Sequence, residues 1–360
     1  MNNYLVFKYA YFNAVEGINL YLAYPEHYLD HNYYGPIFCL IIAPFAVLPG
    51  NIGIYLWQIC NALLLFYAIQ QLPLSTLKKN VICIICIQEL IISLKEFQTN
   101  GAVAALIILA WVMVENKKDF WAALFIMLGL FVKLYGILGI VFFLFSKQKQ
   151  RFILSLFFWG VVLFILPMPS FGPRYIAGSY LDWYHALLSK NAMNTDVNTQ
   201  YQDVSVMGMI RRIAGHPIPI FPILLSGVVL FLATCYFSFK YQWERQKFLL
   251  LASSLLFVVL FSTGSEQATY IIAFAGIAIW FITAPRPIPA YQTVLFIFAI
   301  YFGSLFRTDI FPRYIKDNYI LPYALKALPC LMVWLSVVVE MVTVKQVRRL
   351  AEDGNVVDIA

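Results

Sequence analysis

The sequence predicts an all-α, polytopic membrane protein of about eleven transmembrane helices, with further helices and loops at the membrane surface. Three observations carry that expectation. Of 360 residues, 62% are hydrophobic and only 12% charged, with a mean hydropathy of +0.77. Soluble domains run near about 45–50% apolar and about 25% charged, so a water-soluble fold of this size is excluded. Long apolar runs recur from residue 51 to residue 345 with polar punctuation, and a helix crossing hydrocarbon satisfies its own backbone hydrogen bonds. The third observation is placement of charge: Lys and Arg fall in short clusters between the apolar runs. That pattern marks membrane topology and excludes nucleic-acid recognition as the reason for the net charge of +7. The alternation that a membrane barrel requires is missing.

The chain reads as one integral membrane domain over residues 1–360. Residues 1–50 form an outer loop with an interfacial helix, 51–168 a set of helical hairpins, 169–218 a large outer loop, 219–345 a second set of helices, and 346–360 a cytoplasmic tail. The expected spans are 51–72, 80–94, 101–116, 119–133, 134–146, 151–168, 219–239, 248–262, 269–285, 291–306 and 325–345. Several fall short of the ~20 residues that usually cross a bilayer. The stretch 119–146 reads either as a hairpin of two short helices or as one long tilted helix.

Basic clusters set the orientation. Lys78 and Lys79, Lys117 and Lys118, Lys147 with Lys149 and Arg151, Lys240 with Arg245 and Lys247, Arg286, and Lys345 with Arg348 and Arg349 fall on alternate loops, which the positive-inside rule makes cytoplasmic. That alternation requires the hairpin at 119–146. It also keeps GPIFCLIIAPFAVLP, residues 35–49, out of the count: a span there would invert every later cluster, and the run is short and rich in proline. It is placed as an interfacial or re-entrant helix on the outer face.

By subtraction, 1–35, 95–100, 169–218, 263–268 and 307–324 are extracytoplasmic, and they hold ten of the chain's 18 acids. Among those are Glu26, Asp30, Asp182, Asp196, Asp203 and Glu266. His27, His31 and His185 lie there too. A first segment placed outside with no hydrophobic stretch before it suggests that one upstream helix is missing.

Candidate chemistry collects on that side. The first segment mixes Tyr and Asn with Glu26, Asp30 and His31, a set suited to a polyhydroxylated ligand and to general-base work; the plainer reading is a solvated loop with aromatic anchors. Segment 169–218 carries Trp183, Tyr184 and His185, then Ser205 and the adjacent Arg211 and Arg212. Paired arginines suit a phosphate or pyrophosphate, or lipid headgroups generally. Lys133, in LGLFVKLYGILG, either snorkels or meets an anionic partner such as a lipid phosphate. The short loops LKEFQTNGA and STGSEQATY offer Gln98, Asn100, Ser265 and Glu266, which ordinary helix capping also explains. Glu89 lies within an apolar run, where an acid is functional or pairs helices. Cys83 and Cys86 form a CxxC with no second pair nearby, so packing accounts for them, and neither metal nor cofactor is expected.

The order of several short motifs resembles a known family. Tyr34, Gly35 and Pro36, then Pro44, Leu48 and Pro49, then Trp57 and Asn61 are similar to a stretch of glycosyltransferase family 87, the polyprenol-phosphate-mannose-dependent mannosyltransferases of the GT-C fold. Gln98 with Thr99 and Asn100, Lys133 with Leu134 and Tyr135, Ser205 with Gly208 and Arg211, and Ser265 with Glu266 resemble later motifs, in order. The family has an Asp in its first outer loop that resembles a catalytic base; the matching place here reads Asn2-Asn3-Tyr4, and an amide cannot take a proton. Gly136 also stands where the family prefers proline.

The resemblance implies a GT-C-like fold in the plasma membrane with an extracytoplasmic site. It implies inverting transfer of a mannosyl or other hexosyl group from a polyprenyl-phosphate donor to a glycan or lipid acceptor. In that scheme Lys133 or Arg211 would hold the phosphate, and the base would be Asp30, with Glu26 or Glu266 next, or be absent; together with the reading of the residues themselves, Arg212, Gln98, Asn100, His31, Tyr34 and Ser205 are further expected substrate contacts. The rival readings are a secondary transporter or lipid-sugar flippase, which usually shows internal repeats, and a non-catalytic sugar-lipid-binding protein, which Asn3 favours.

Overall fold

A computed structural model describes residues 2–195, 202–241 and 243–352, with side chains to residue 343. Asp196 and positions 353–360 of the expected tail lie outside the described residues. Among those described there are helices and no strands. The helices are α1 (Asn2–Glu16), α2 (Phe38–Ala46), α3 (Ile52–Gln70), α4 (Thr76–Lys95), α5 (Asn100–Glu115), α6 (Asp119–Lys133), a 3-10 segment (Leu134–Phe145), α7 (Lys149–Ile165), α8 (Met168–Phe171), α9 (Pro173–Asn194), α10 (Val206–Ala214), α11 (Ile220–Tyr241), α12 (Glu244–Leu260), α13 (Tyr270–Ile282), α14 (Ala290–Phe298), α15 (Arg313–Ile315) and α16 (Ala327–Glu352).

Every expected span is occupied by a helix. Five stretches are long and apolar enough to cross a membrane by length and composition: Ile52–Gln70, Asp119–Phe145, Lys149–Phe171, Ile220–Tyr241 and Ala290–Arg307. Asn100–Glu115, Gln267–Ile282 and Ala327–Thr343 are shorter apolar helices.

The stretch 119–145 is a hairpin. A Cβ built on Gly136 would lie 2.5 Å from the Gly129 Cα, and one on Gly139 would lie 2.7 Å from Ile126. In a straight helix residues 13 apart are separated by roughly 20 Å. The chain turns at Lys133, whose backbone is extended (φ −155°, ψ 89°).

Helices α5 and α13, and α12 from Phe248 onward, are buried on nearly all faces and form the centre: Trp111, Phe248 and Trp280 are almost wholly buried. Around them α3, α7 and α11 expose large apolar side chains, including Leu63, Phe157 and Val229. In water such a surface would be a liability; in hydrocarbon it is the expected outer face. One end of the bundle is closed by ion pairs, Lys247 with Glu115 at 2.6 Å and Arg245 with Glu340 at 2.9 Å.

Two expected loops are helical instead. Residues 2–16 form α1, and most of 169–218 is taken by α9 and α10. Hydropathy misses α9 because its 22 residues are too polar to cross a bilayer, yet Pro173 at its first turn is a sound helix start. Helix α9 lies on the first segment. Trp183 Nε1 donates to the Tyr33 carbonyl at 2.9 Å, Tyr175 donates to the Ile18 carbonyl at 2.6 Å, and Asn19 donates to Asp182 at 2.9 Å. Helix α2 is nine residues long with Pro44 inside it, too short to span, and Tyr4 of α1 donates to its Phe45 carbonyl at 3.0 Å.

Candidate active site

Lys133 ends α6 at the turn of the hairpin, so its ammonium has left the helix and reaches across to α5. It donates to Asn100 Oδ1 at 2.8 Å and stands 5.0 Å from the centre of the Tyr135 ring. Asn100 is fully buried at the first position of α5. It therefore aims the lysine rather than facing open space.

The first segment arrives from the other side. Gly35 lies on the last turn of α6, where its amide donates to the Val132 carbonyl at 3.4 Å. Tyr34, immediately before it, is buried, donating to Gln98 Oε1 at 3.2 Å and accepting from Thr99 at 2.9 Å. Asn3 donates to the Glu96 carbonyl at 2.7 Å, holding the start of α1 against the same loop. Asp30 Oδ1 accepts from the His31 amide at 2.7 Å. The His31 ring is held through Nδ1 to the Tyr21 carbonyl at 3.1 Å; a carbonyl only accepts, so Nδ1 carries the proton and Nε2 is the ring's remaining polar atom.

A third wall comes from α9 and a fourth from the loop between α12 and α13. Asn194 donates to the Thr263 carbonyl at 2.9 Å, Thr263 donates to Asn191 at 2.6 Å, and Ser262 donates to the Tyr135 oxygen at 3.2 Å. Glu266 caps the short 3-10 turn Gln267–Thr269 in a reciprocal capping box with Thr269. Its carboxylate stands 3.8 Å from Lys190, whose ammonium lies 4.7 Å from the Tyr33 ring.

These walls enclose a cavity of about 310 Å³. Asp30, His31, Tyr34, Gln98, Lys133 and Glu266 line it, with Asn3, Tyr33, Lys190, Asn191 and Asn194. Two cations and two carboxylates thus share a partly closed hollow, where electrostatic interactions exceed their strength in water. Burial, then the Asp30 and Glu266 carboxylates, pushes the Tyr33 phenol above its ordinary value. Burial does the same to Tyr34 against the hydrogen bond from Thr99. Both phenols therefore stay protonated at neutral pH.

Other expected site residues lie elsewhere. Glu26 is exposed and does not line the cavity. Arg211, only 2% exposed, is bound to Asp203 at 2.6 Å and donates to the Asn194 carbonyl at 3.0 Å. Ser205 caps α10, accepting from the Gly208 amide at 3.2 Å, and donates to Asp203. Burial pushes the Asp203 carboxyl up from its ordinary value, while Ser205 and Arg211 pull against it. Arg212 donates to the Gln202 carbonyl. This buried cluster supports the wall at Asn194 and does not open into the cavity. Among the described residues no group of three or more His, Cys, Asp or Glu lies close enough to hold a metal ion.

Sequence reasoning passed over Lys190, Asn191 and Asn194. Their spacing puts all three on one face of a helix, a usable signal only once 173–194 is known to be helical. Lys326 was also missed: it pairs with Glu89 at 2.7 Å and donates to the Gln267 carbonyl at 3.3 Å, behind the Glu266 turn.

No curated protein matches the chain. The model of glycosyltransferase family 87 matches residues 32–263, more than half of it. That range takes in Tyr34, Gln98, Lys133 and Lys190 and leaves Asp30 and Glu266 just beyond its two ends.

Proposed function

The chain belongs to glycosyltransferase family 87 and is a membrane glycosyltransferase, and from that premise we propose that it transfers a hexosyl group, mannosyl by preference, from a polyprenyl-phosphate donor to a hydroxyl of a glycan or lipid acceptor. The site would lie at the extracytoplasmic face of the plasma membrane, in a GT-C-like fold. The basic clusters support that sidedness, since they put the loops bearing Gln98, Lys133 and Glu266 outside. A lipid donor suits that side, because nucleotide sugars are cytoplasmic.

The observation that carries the reading is convergence: Asp30, Lys133, Lys190 and Glu266, from four distant segments, line one cavity. The reaction is a single displacement with inversion. The acceptor oxygen forms a bond to the anomeric carbon as the bond from that carbon to the phosphate oxygen breaks. The acceptor's proton passes to a carboxylate, and the departing phosphate gains negative charge. Lys133 and Lys190 supply fixed positive charge at that point. Asp30 is the assigned base, because Glu266 is already engaged as a helix cap and by Lys190. Its Oδ1 is held by the His31 amide, leaving Oδ2 for the proton.

The test is turnover of polyprenyl-phosphate mannose by the purified protein, with the anomeric configuration of the product determined. Transfer with inversion that is lost in Asp30→Asn supports the reading. Donor binding with no covalent product would favour the non-catalytic binder, which Asn3 in the cavity suits. Flux of the sugar lipid across liposomes without product would favour a transporter. Labelling of a cysteine at Tyr184 from the cytosolic side would overturn the assigned sidedness.

A further inference from the structure

Two walls of the cavity carry opposite charges that face each other, Lys190 on α9 and Glu266 on the loop between α12 and α13, 3.8 Å apart. Residues 203–211 tie into both walls. On one side, Arg211 Nη2 donates to the carbonyl of Asn194, the last residue of α9, at 3.0 Å. The final carbonyls of a helix have no partner within it, and a cation there also meets the negative end of the helix dipole. Asn194 stands one turn from Lys190 on the same face of α9. On the other side, the Val204 amide donates to the Ser265 carbonyl at 2.7 Å, one residue before Glu266, and the Val204 carbonyl accepts from Tyr270 at 2.7 Å.

A single ion pair joins the two arms. The same Arg211 Nη2 that holds the end of α9 binds Asp203 at 2.6 Å, one residue before Val204. Asp203 adopts the left-handed backbone conformation (φ 50°), which Asp accepts more readily than most residues. Its other carboxylate oxygen accepts from Ser205. Gly208 permits the close approach, since a Cβ there would lie 1.9 Å from the Asp203 carbonyl oxygen. Asp203 and Ser205 are wholly buried, Arg211 is 2% exposed, and none of the three lines the cavity. A pair so enclosed is held together, because separating its charges would leave each of them buried and uncompensated.

We propose that the Asp203–Arg211 pair is a clasp that sets the gap between Lys190 and Glu266, so that Asp203 and Arg211 are positioning residues for the donor phosphate and do not touch it. The proposal rests on the reading of the cavity as a polyprenyl-phosphate site. Once Asn194 is released, the end of α9 can shift, and a displaced Lys190 holds an anion less well. The neighbouring tie from Asn194 to the Thr263 carbonyl at 2.9 Å stays in place, so the effect is a partial loss and not collapse of the wall.

The test is a double-mutant cycle on donor affinity. Binding of polyprenyl-phosphate mannose to the full-length protein in detergent is measured for Arg211→Lys and for the double variant Asp203→Asn with Arg211→Met. Each is made with Lys190 present and again with Lys190→Met. Arg211→Lys keeps the charge on a side chain one bond shorter, while the double variant removes both charges together and strands neither. With Lys190 in place, each clasp variant is expected to weaken binding about fivefold or more. In the Lys190→Met background the further loss is expected to stay under about twofold, because residues that act through one another are not additive. Equal fold-losses in the two backgrounds would overturn the proposal, since they would mean general loosening of the fold or direct contact of Arg211 with phosphate. Clasp variants that bind as the wild type does would overturn it as well. Should the double variant fail to fold, Arg211→Lys alone closes the cycle. The expected cycle in a protein that transfers no sugar leaves the clasp standing and refutes the enzymatic reading; a wild type that binds no donor refutes both.

Discussion

Glu89 and Lys326 are 237 residues apart in the chain and meet at 2.7 Å with neither side chain exposed. Lys326 also stands 4.6 Å from the centre of the Tyr270 ring. The pair ties α4 to the turn that leads into α16 and, through the Gln267 carbonyl, steadies the turn that carries Glu266. Removing one partner strands the other charge in an apolar interior, which costs about 3–5 kcal/mol. Glu89→Met and Lys326→Met are therefore expected to lower Tm markedly in detergent, and the double variant to recover most of the loss. A double variant no more stable than either single one would mean that the pair does not act as a unit.

Lys133 owes its direction to Asn100. Asn100→Ala keeps the positive charge and removes the acceptor, and a hydrogen bond to a charged group is worth about 1.5–3 kcal/mol. Turnover of the donor is expected to fall by roughly 10- to 100-fold, and further in Lys133→Met, which removes the charge itself. Equal losses in the two variants would place the effect on packing rather than on the ammonium.

The apolar helices were legible because hydrocarbon imposes one pattern on any chain that crosses it. Even the hairpin at 119–146 followed from the alternation of basic clusters. Gln98 and Lys133 stood out as polar residues next to long apolar runs. Helix α9 did not, since Arg174, Asp182 and Lys190 make it too polar for a span and composition does not separate a polar helix from a loop. With it went Lys190 and Asn194. Lys326 was hidden for another reason: a lysine at the edge of a span is usually free to snorkel, and only the fold brings Glu89 to it. Arg211 was visible as a cation, while its engagement by Asp203 depends on contacts that spacing does not reveal.

Asp30 and Glu266 both face the cavity, and their surroundings separate them. Loss of a general base typically costs 10²–10⁴-fold in rate, so Asp30→Asn is expected to lower kcat by about that much with little change in donor binding. Glu266→Gln keeps an acceptor for the cap and loses the attraction to Lys190 at 3.8 Å. Its expected signature is a raised KM for the donor and a smaller fall in kcat. Kinetics showing the reverse split would move the base to Glu266.

Gly35 is a place where the backbone itself sets the limit. A Cβ there would lie 2.0 Å from the Phe131 carbonyl oxygen and 3.1 Å from the Trp183 ring. Neither neighbour yields easily, since one is the end of α6 and the other anchors α9 to the Tyr33 carbonyl. Gly35→Ala is expected to lift the 33–36 strip off α6, to cost about 1–3 kcal/mol of stability as overpacking does, and to raise KM for the donor by displacing Tyr33 and Tyr34. Gly178, within α9, has nothing within 4 Å of its own Cβ position. Gly178→Ala should therefore leave activity intact and raise stability by up to about 1 kcal/mol, the usual gain of alanine over glycine inside a helix. Thermal melts and donor titrations of the two variants side by side check both. A Gly35→Ala protein as stable and active as wild type would show that the first segment does not need its close seat on α6 to shape the cavity.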